Sequence, residues 1–240
     1  MKRNFPANFV NQISFFYEFV IDLIFPKTCV SCKEEGFWIC PKCRQKIILV
    51  KSLTCPKCNR ITKQGQVCLR CSKTSCLKGL IVAAHYNEGA LKEAIHKYKY
   101  EGVSDIAKDL GKILSDILKS RWHKLAVLIP VPLHKKRQVQ RGYNQAELLA
   151  KEISQICKYK VINNKLVRIK FSKSQVELSG RARRENIKNA FLWKGKDEVK
   201  GKNVLVVDDV YTTGATLEEC AKTLKSAGAK CVWAVVLAKV

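Results

Sequence analysis

Val204-Leu205-Val206-Val207-Asp208-Asp209-Val210-Tyr211-Thr212-Thr213-Gly214-Ala215-Thr216 is the most informative stretch of the chain. Val204 to Val207 form an uninterrupted apolar run, the pattern of a strand buried on both faces. That strand delivers two adjacent carboxylates, Asp208 and Asp209, to its end. A Thr-Thr-Gly-Ala-Thr turn then leads straight into a helix-period segment from Thr216 to Ala227. Successive backbone N–H groups, the hydroxyls of Thr212, Thr213 and Thr216, and a helix N-terminus make an anion cradle suited to a phosphate. Gly214 lets the backbone approach such a group closely. Carboxylates beside the cradle would repel a phosphate, so they are read as ligands for sugar hydroxyls or Mg2+.

Outward from this stretch, apolar runs recur at Leu80 to Tyr86, Leu125 to Ile129 and Cys231 to Leu237. Helix-period segments separate them, from Gly89 to Tyr100, Ser104 to Lys119 and Tyr143 to Ile156. The alternation predicts an α/β domain over 77–240, a mostly parallel sheet flanked by helices, with ligands beyond the C-terminal strand ends. At the other end, Phe9, Ile13, Phe16, Val20, Leu23 and Ile24 fall near one face of a helix, giving an amphipathic segment within residues 1–26. Asn11, Gln12, Glu18 and Asp22 make it too polar for a bilayer span, and no small-residue cleavage site follows it. The expected setting is cytoplasmic, with reduced cysteines.

Between these parts, residues 27–76 are cysteine-rich. Cys29 and Cys32, Cys40 and Cys43, Cys55 and Cys58, and Cys68 and Cys71 form four C-x2-C pairs. Each pair presents two thiolates to one ion, and two pairs complete a tetrahedral site, so the run predicts two structural Zn2+. Consecutive pairing is preferred, with a cross-braced arrangement as the alternative. Eight paired cysteines leave no open position for catalytic zinc, and four evenly repeated knuckles argue against redox or iron–sulfur chemistry. Ile47-Ile48-Leu49-Val50 is the module's only sustained apolar run, so metal must supply much of its folding energy. Cys76, Cys157, Cys220 and Cys231 are read as buried thiols.

The chain has 45 Lys and Arg against 20 Asp and Glu, a net charge of +25, which favours polyanionic partners. Two Zn2+ on eight thiolates would lower this by only about four charges. The bland alternative is a lysine-rich composition in which most of these lysines only solvate the surface.

The thirteen residues from Val204 resemble the phosphoribosyl-pyrophosphate (PRPP) signature of the type I phosphoribosyltransferases. Tyr211 is the least typical position, since a smaller residue is common there in the wider superfamily. The resemblance implies that Asp208 and Asp209 face the ribose hydroxyls of PRPP, with Mg2+, and that Thr212, Thr213, Gly214, Ala215 and Thr216 hold its 5′-phosphate. Arg141-Gly142-Tyr143-Asn144-Gln145-Ala146-Glu147-Leu148-Leu149-Ala150, the segment from Ser174 to Phe191 and the cysteine pairs together resemble the ComF family of competence-associated proteins. That resemblance covers nearly the whole chain. It implies that Val131, Pro132, Leu133 and His134 form the loop that receives pyrophosphate. It also implies a hood from about Arg168 to Asn186, whose basic residues include Arg181, Arg183 and Arg184.

The family resemblance implies a PRPP-binding protein that handles incoming single-stranded DNA in the cytosol during natural transformation, with a competence helicase as a possible partner. An active phosphoribosyltransferase with an unidentified acceptor is the alternative, and a non-catalytic nucleotide sensor a third reading. Glutamine-dependent chemistry is not expected, because the chain opens Met1-Lys2-Arg3, without the N-terminal cysteine nucleophile of a glutaminase domain. No general base is assigned. His85, His96 and His123 are read as structural or exposed, and Asn144 as a helix cap.

Overall fold

A computed structural model describes residues 26–86, 89–171 and 185–240. The expected N-terminal amphipathic helix and the hood residues Arg181, Arg183 and Arg184 lie outside the described residues. In chain order the elements begin with two short helices, α1 (Pro41–Gln45) and α2 (Leu69–Ser72), within the cysteine-rich segment. There follow β1 (Gly79–His85), α3 (Ala90–Tyr100), α4 (Ala107–Arg121), β2 (Val127–Pro130), α5 (Lys135–Arg141) and α6 (Gln145–Cys157). The chain continues through β3 (Lys160–Val161), β4 (Leu166–Arg168), β5 (Phe191–Trp193), β6 (Asn203–Tyr211), α7 (Ala215–Ser226) and β7 (Cys231–Lys239).

Five strands form one sheet in the order β1-β7-β6-β2-β3, and every pairing in it is parallel. Strands β4 and β5 make a separate antiparallel pair. Alternating residues of the central strands serve two cores, as the two-residue strand period requires. Leu205, Val207, Trp233 and Val235 pack with α3, α4 and α6 on one face. Val204, Val206, Val232 and Ala234 pack with α7 on the other. Burial on both faces explains why these strands read as continuous apolar runs.

The cysteine-rich segment straddles β1, an edge strand. Antiparallel bridges join Leu49 to Ala84 and Gln66 to Gly79. The Val50 N–H donates to the Ala83 carbonyl at 3.0 Å, and the His85 N–H to the Ile48 carbonyl at 3.2 Å. The apolar run Ile47 to Val50 therefore covers an edge whose polar groups would otherwise be open to another chain. Cys29, Cys40 and Cys43 join the core on the α3–α4 face, whereas Cys55 joins the core on the α7 face. The two halves of the module thus lie on opposite faces of the sheet.

Candidate functional site

The ladder of β6 carries the two carboxylates to the C-terminal end of the sheet, with Asp208 in register with Val236 of β7. Neighbouring strand residues point to opposite faces. Asp209 turns toward α3, where Lys99 Nζ lies 2.9 Å from its Oδ1. Burial works against the Lys99 charge, but the Asp209 carboxylate outweighs it and raises the Lys99 pKa. Asp208 faces Arg168 and α7. Burial and then the Asp209 charge push it up to about 7, against the pull of Lys99 and Arg168.

A polar cleft of about 160 Å3 opens over these carboxylates. Its wall brings together Lys99, Arg137, Arg141 and Arg168, with Val131, Leu133, Asn144, Gln145, Ala146 and Thr216. Four cationic side chains around two carboxylates make a site for an anionic ligand that also carries hydroxyls. Gly214 sits at the N-cap of α7 in the left-handed region, with φ 73°. The Ala215 N–H meets Thr213 Oγ1 at 3.5 Å. Thr212 is exposed and Thr213 and Thr216 are half-buried; of this turn Thr216, in the first turn of α7, lines the cleft.

The segment from Arg141 to Gln145 braces this cleft. Gly142 ends α5 in the left-handed region, at φ 78°. The Tyr143 hydroxyl donates to the Tyr98 carbonyl at 2.6 Å, and Gln145 Nε2 donates to the same oxygen at 3.1 Å. In return the Tyr98 hydroxyl donates to the Gln145 carbonyl at 2.8 Å. These bonds fix the end of α3 and hence Lys99. Asn144, only 3 % exposed, caps α6 by accepting from the Ala146 N–H at 3.0 Å. Its amide nitrogen donates to the Val131 carbonyl at 3.1 Å, holding the loop after β2.

That loop divides its residues between two tasks. Val131 and Leu133 line the cleft, while His134 caps α5 by accepting the Lys136 N–H at Nδ1, 3.3 Å away. The His134 ring also packs on Phe171, with centroids 5.0 Å apart.

The cysteines gather into two sets, Cys29, Cys32, Cys40 and Cys43, then Cys55, Cys58, Cys68 and Cys71, each with sulfurs within 4.8 Å of one another. This is consecutive pairing, and it excludes the cross-braced alternative. Tetrahedral zinc with bonds of about 2.3 Å sets sulfurs about 3.8 Å apart. Cys32 and Cys40 lie at 3.5 Å and Cys58 and Cys68 at 3.6 Å, which fits. Burial raises the Cys29 and Cys55 thiols, but backbone N–H groups of each knuckle prevail and bring both down to about 6. The thiolate, the form that binds metal, is thereby favoured at these two positions, while in the apo sets the neighbouring thiols push Cys71 upward. Of the remaining cysteines Cys220 is buried, Cys157 and Cys231 are half-buried and Cys76 is exposed, so Cys76 departs from the expected buried thiol. It lies past the last knuckle, beyond the edge cover that Gln66 provides.

Comparison with known proteins agrees with both parts. Residues 102–240 match the family model of the phosphoribosyl transferase domain, and residues 20–72 match that of the double zinc ribbon domain. Competence protein F of Haemophilus influenzae is 34% identical over 210 residues, covering 79% of this chain and 91% of that protein. The chain is a member of the ComF family.

Two further ComF relatives are similar along most of their length. DNA utilization protein YhgH of Escherichia coli K12 is 32% identical, covering 88% of this chain and 96% of that protein. Competence protein ComFC of Bacillus subtilis is 29% identical, covering 79% of each. In this ComF chain the cysteine sets are structural zinc sites on a phosphoribosyltransferase-type sheet. None of the described helices is long and apolar enough to cross a membrane. Lys99 is the cleft residue that sequence reading missed. Its only local signal is its place between Tyr98 and Tyr100 at a helix end, because its partner Asp209 is far along the chain.

Proposed function

We propose that this chain binds PRPP with Mg2+ in the cleft over Asp208 and Asp209, and that it acts in cytosolic handling of incoming single-stranded DNA during natural transformation. The observation that carries the first part is the joining of a carboxylate pair, Thr216 of the first turn of α7 and four cations in one cleft. Asp208 and Asp209 take the ribose hydroxyls, and the turn from Thr212 to Thr216 takes the 5′-phosphate through amides and hydroxyls. Pyrophosphate lies against the loop from Val131 to His134, within reach of Lys99, Arg137 and Arg141. Asp208 and Asp209 are the carboxylates that would hold Mg2+, which would supply positive charge against the pyrophosphate.

The DNA role draws on the names of the relatives, which are competence and DNA utilization proteins. Charge supports it. Arg60, Lys63, Arg70 and Lys73 are exposed on the second ribbon, beside exposed Ile61 and Leu69.

The cationic wall also favours turnover as a second reading. The C1–O bond to pyrophosphate breaks with its electron pair leaving on pyrophosphate, and an acceptor lone pair closes on C1. Lys99, Arg137, Arg141 and Arg168 stabilise the departing charge.

Calorimetry with PRPP and Mg2+ tests the site on wild type and on Asp208→Asn/Asp209→Asn. Saturable binding that the double variant loses is expected, and a folded, zinc-loaded wild type that gives no heat overturns the reading. Repeating the titration with a single-stranded oligonucleotide measures any coupling between the two ligands.

A further inference from the structure

We infer that Tyr211 is a positioning residue that ties the phosphate turn to the second zinc ribbon, so that 5′-phosphate affinity depends on that ribbon and not on the first. The inference rests on the PRPP reading of the cleft.

Tyr211 ends β6 with its ring buried, and its hydroxyl donates to the Pro56 carbonyl at 2.8 Å. Pro56 lies inside the knuckle from Cys55 to Cys58, so the metal-shaped turn and the last residue of the central strand share a buried hydrogen bond. The same ring supports the phosphate turn. A β-carbon built on Gly214 would stand 2.6 Å from Tyr211 Cζ, so the turn's glycine rests directly on the ring. Lys239 Nζ sits 5.6 Å from the ring centroid and donates to Asn59 Oδ1, one residue past Cys58, at 2.6 Å.

A second tie reaches the helix behind the turn. Glu218, in the first turn of α7, accepts from the Cys76 N–H at 2.9 Å and from the Ser75 hydroxyl, and faces Lys57 Nζ at 3.7 Å. Engaged in this way, its carboxylate opposes an incoming phosphate less at the positive end of the helix. The first ribbon makes its ties elsewhere. Arg44 pairs with Asp116 at 2.8 Å, and Trp38 Nε1 donates to Asp105 at 3.2 Å, both at or before α4.

The test uses the full zinc-loaded chain with two probes, ribose 5-phosphate for the phosphate turn and Mg2+-pyrophosphate for the opposite arm. Tyr211→Phe keeps the ring and removes the hydrogen bond. Ribose 5-phosphate affinity is expected to fall about fivefold, the size of one neutral hydrogen bond, with Mg2+-pyrophosphate affinity and zinc content unchanged. Cys58→Ser, which loosens the second knuckle, is expected to lower ribose 5-phosphate affinity further. Asp116→Asn, which cuts the first ribbon's ion pair, should leave both probes as in wild type. Unchanged ribose 5-phosphate binding in Tyr211→Phe overturns the coupling, as does equal weakening of both probes, which would mark a general loss of structure. Wild type that binds neither probe overturns the PRPP reading, and the inference with it.

Discussion

Asn144 offers a sharp check on the brace beneath the cleft, because its hydrogen bonds reverse an ordinary rule. At helix N-caps Asn, Asp and Ser are nearly equivalent. Here Oδ1 accepts from the Ala146 N–H at 3.0 Å, while Nδ2 donates to the Val131 carbonyl and to Glu147 Oε1, both at 3.1 Å. Asn144→Ser keeps an acceptor for Ala146 and loses the two donated bonds. With one buried carbonyl orphaned, it should cost about 1.5 kcal/mol. Asn144→Asp keeps the cap as well but sets a carboxylate oxygen against two acceptors, one of them charged. The cost should rise to about 3 kcal/mol. The expected order of stability is therefore Asn, then Ser, then Asp, read from urea unfolding of the zinc-loaded chain at neutral pH.

The pH dependence carries the same logic. A carboxylate placed there has its pKa raised on folding, since desolvation and the facing acceptors both disfavour its charge. Relative to wild type, the Asp variant should be least impaired below the unfolded carboxylate pKa, where the introduced group is protonated and can donate to Val131. The deficit grows as pH rises through the folded pKa. An Asp variant as stable as wild type at neutral pH would refute the hydrogen-bond assignment, and with it the claim that Asn144 holds the loop at Val131.

Lys99→Met leaves the Asp209 carboxylate, in a residue 8 % exposed, without its 2.9 Å partner and should cost about 2 kcal/mol in the same assay. Adding Asp209→Asn should restore part of this, and strictly additive losses would show that the pair is not coupled. Chelation should release two Zn2+ per chain and expose eight further thiols to a thiol reagent, with exposed Cys76 reacting before chelator is added. Release of one ion would show that one cysteine set is not a metal site. Affinity for single-stranded oligonucleotides should fall steeply between low and high salt, as expected for Lys and Arg contacts to phosphate, and a flat dependence would count against a DNA surface.

The sheet was legible because its strands are buried on both faces, so Val204 to Val207 and Cys231 to Leu237 stand out as apolar runs. The zinc pairing was legible as a preference from spacing alone, and sulfur positions decided it. Helix α5 left no apolar signature. Its residues are mostly charged and its Val139 is 83 % exposed, so the helix is marked by His134 at its start and Gly142 at its end. Strands β3, β4 and β5 run only two or three residues, too short for any period to show. In the site, Asp208, Asp209 and the threonine turn are contiguous and could be read together. Lys99 reaches Asp209, and Pro56 reaches Tyr211, through tertiary packing alone, which no local pattern encodes.

Tyr211, the least typical residue of the signature, has a reason once the ribbon is in place. A smaller side chain would end β6 without reaching Pro56, and the knuckle would face the phosphate turn across a gap. The ribbon is not a free appendage that happens to precede the sheet. Its segments pair with β1 through Leu49 and Gln66, and its sulfurs reach both cores. Fifty residues with one sustained apolar run would not hold those positions unaided, so the metal supplies the rigidity that the edge cover requires. A single module therefore closes the edge of the sheet and, through its second knuckle, supports the turn at the sheet's centre.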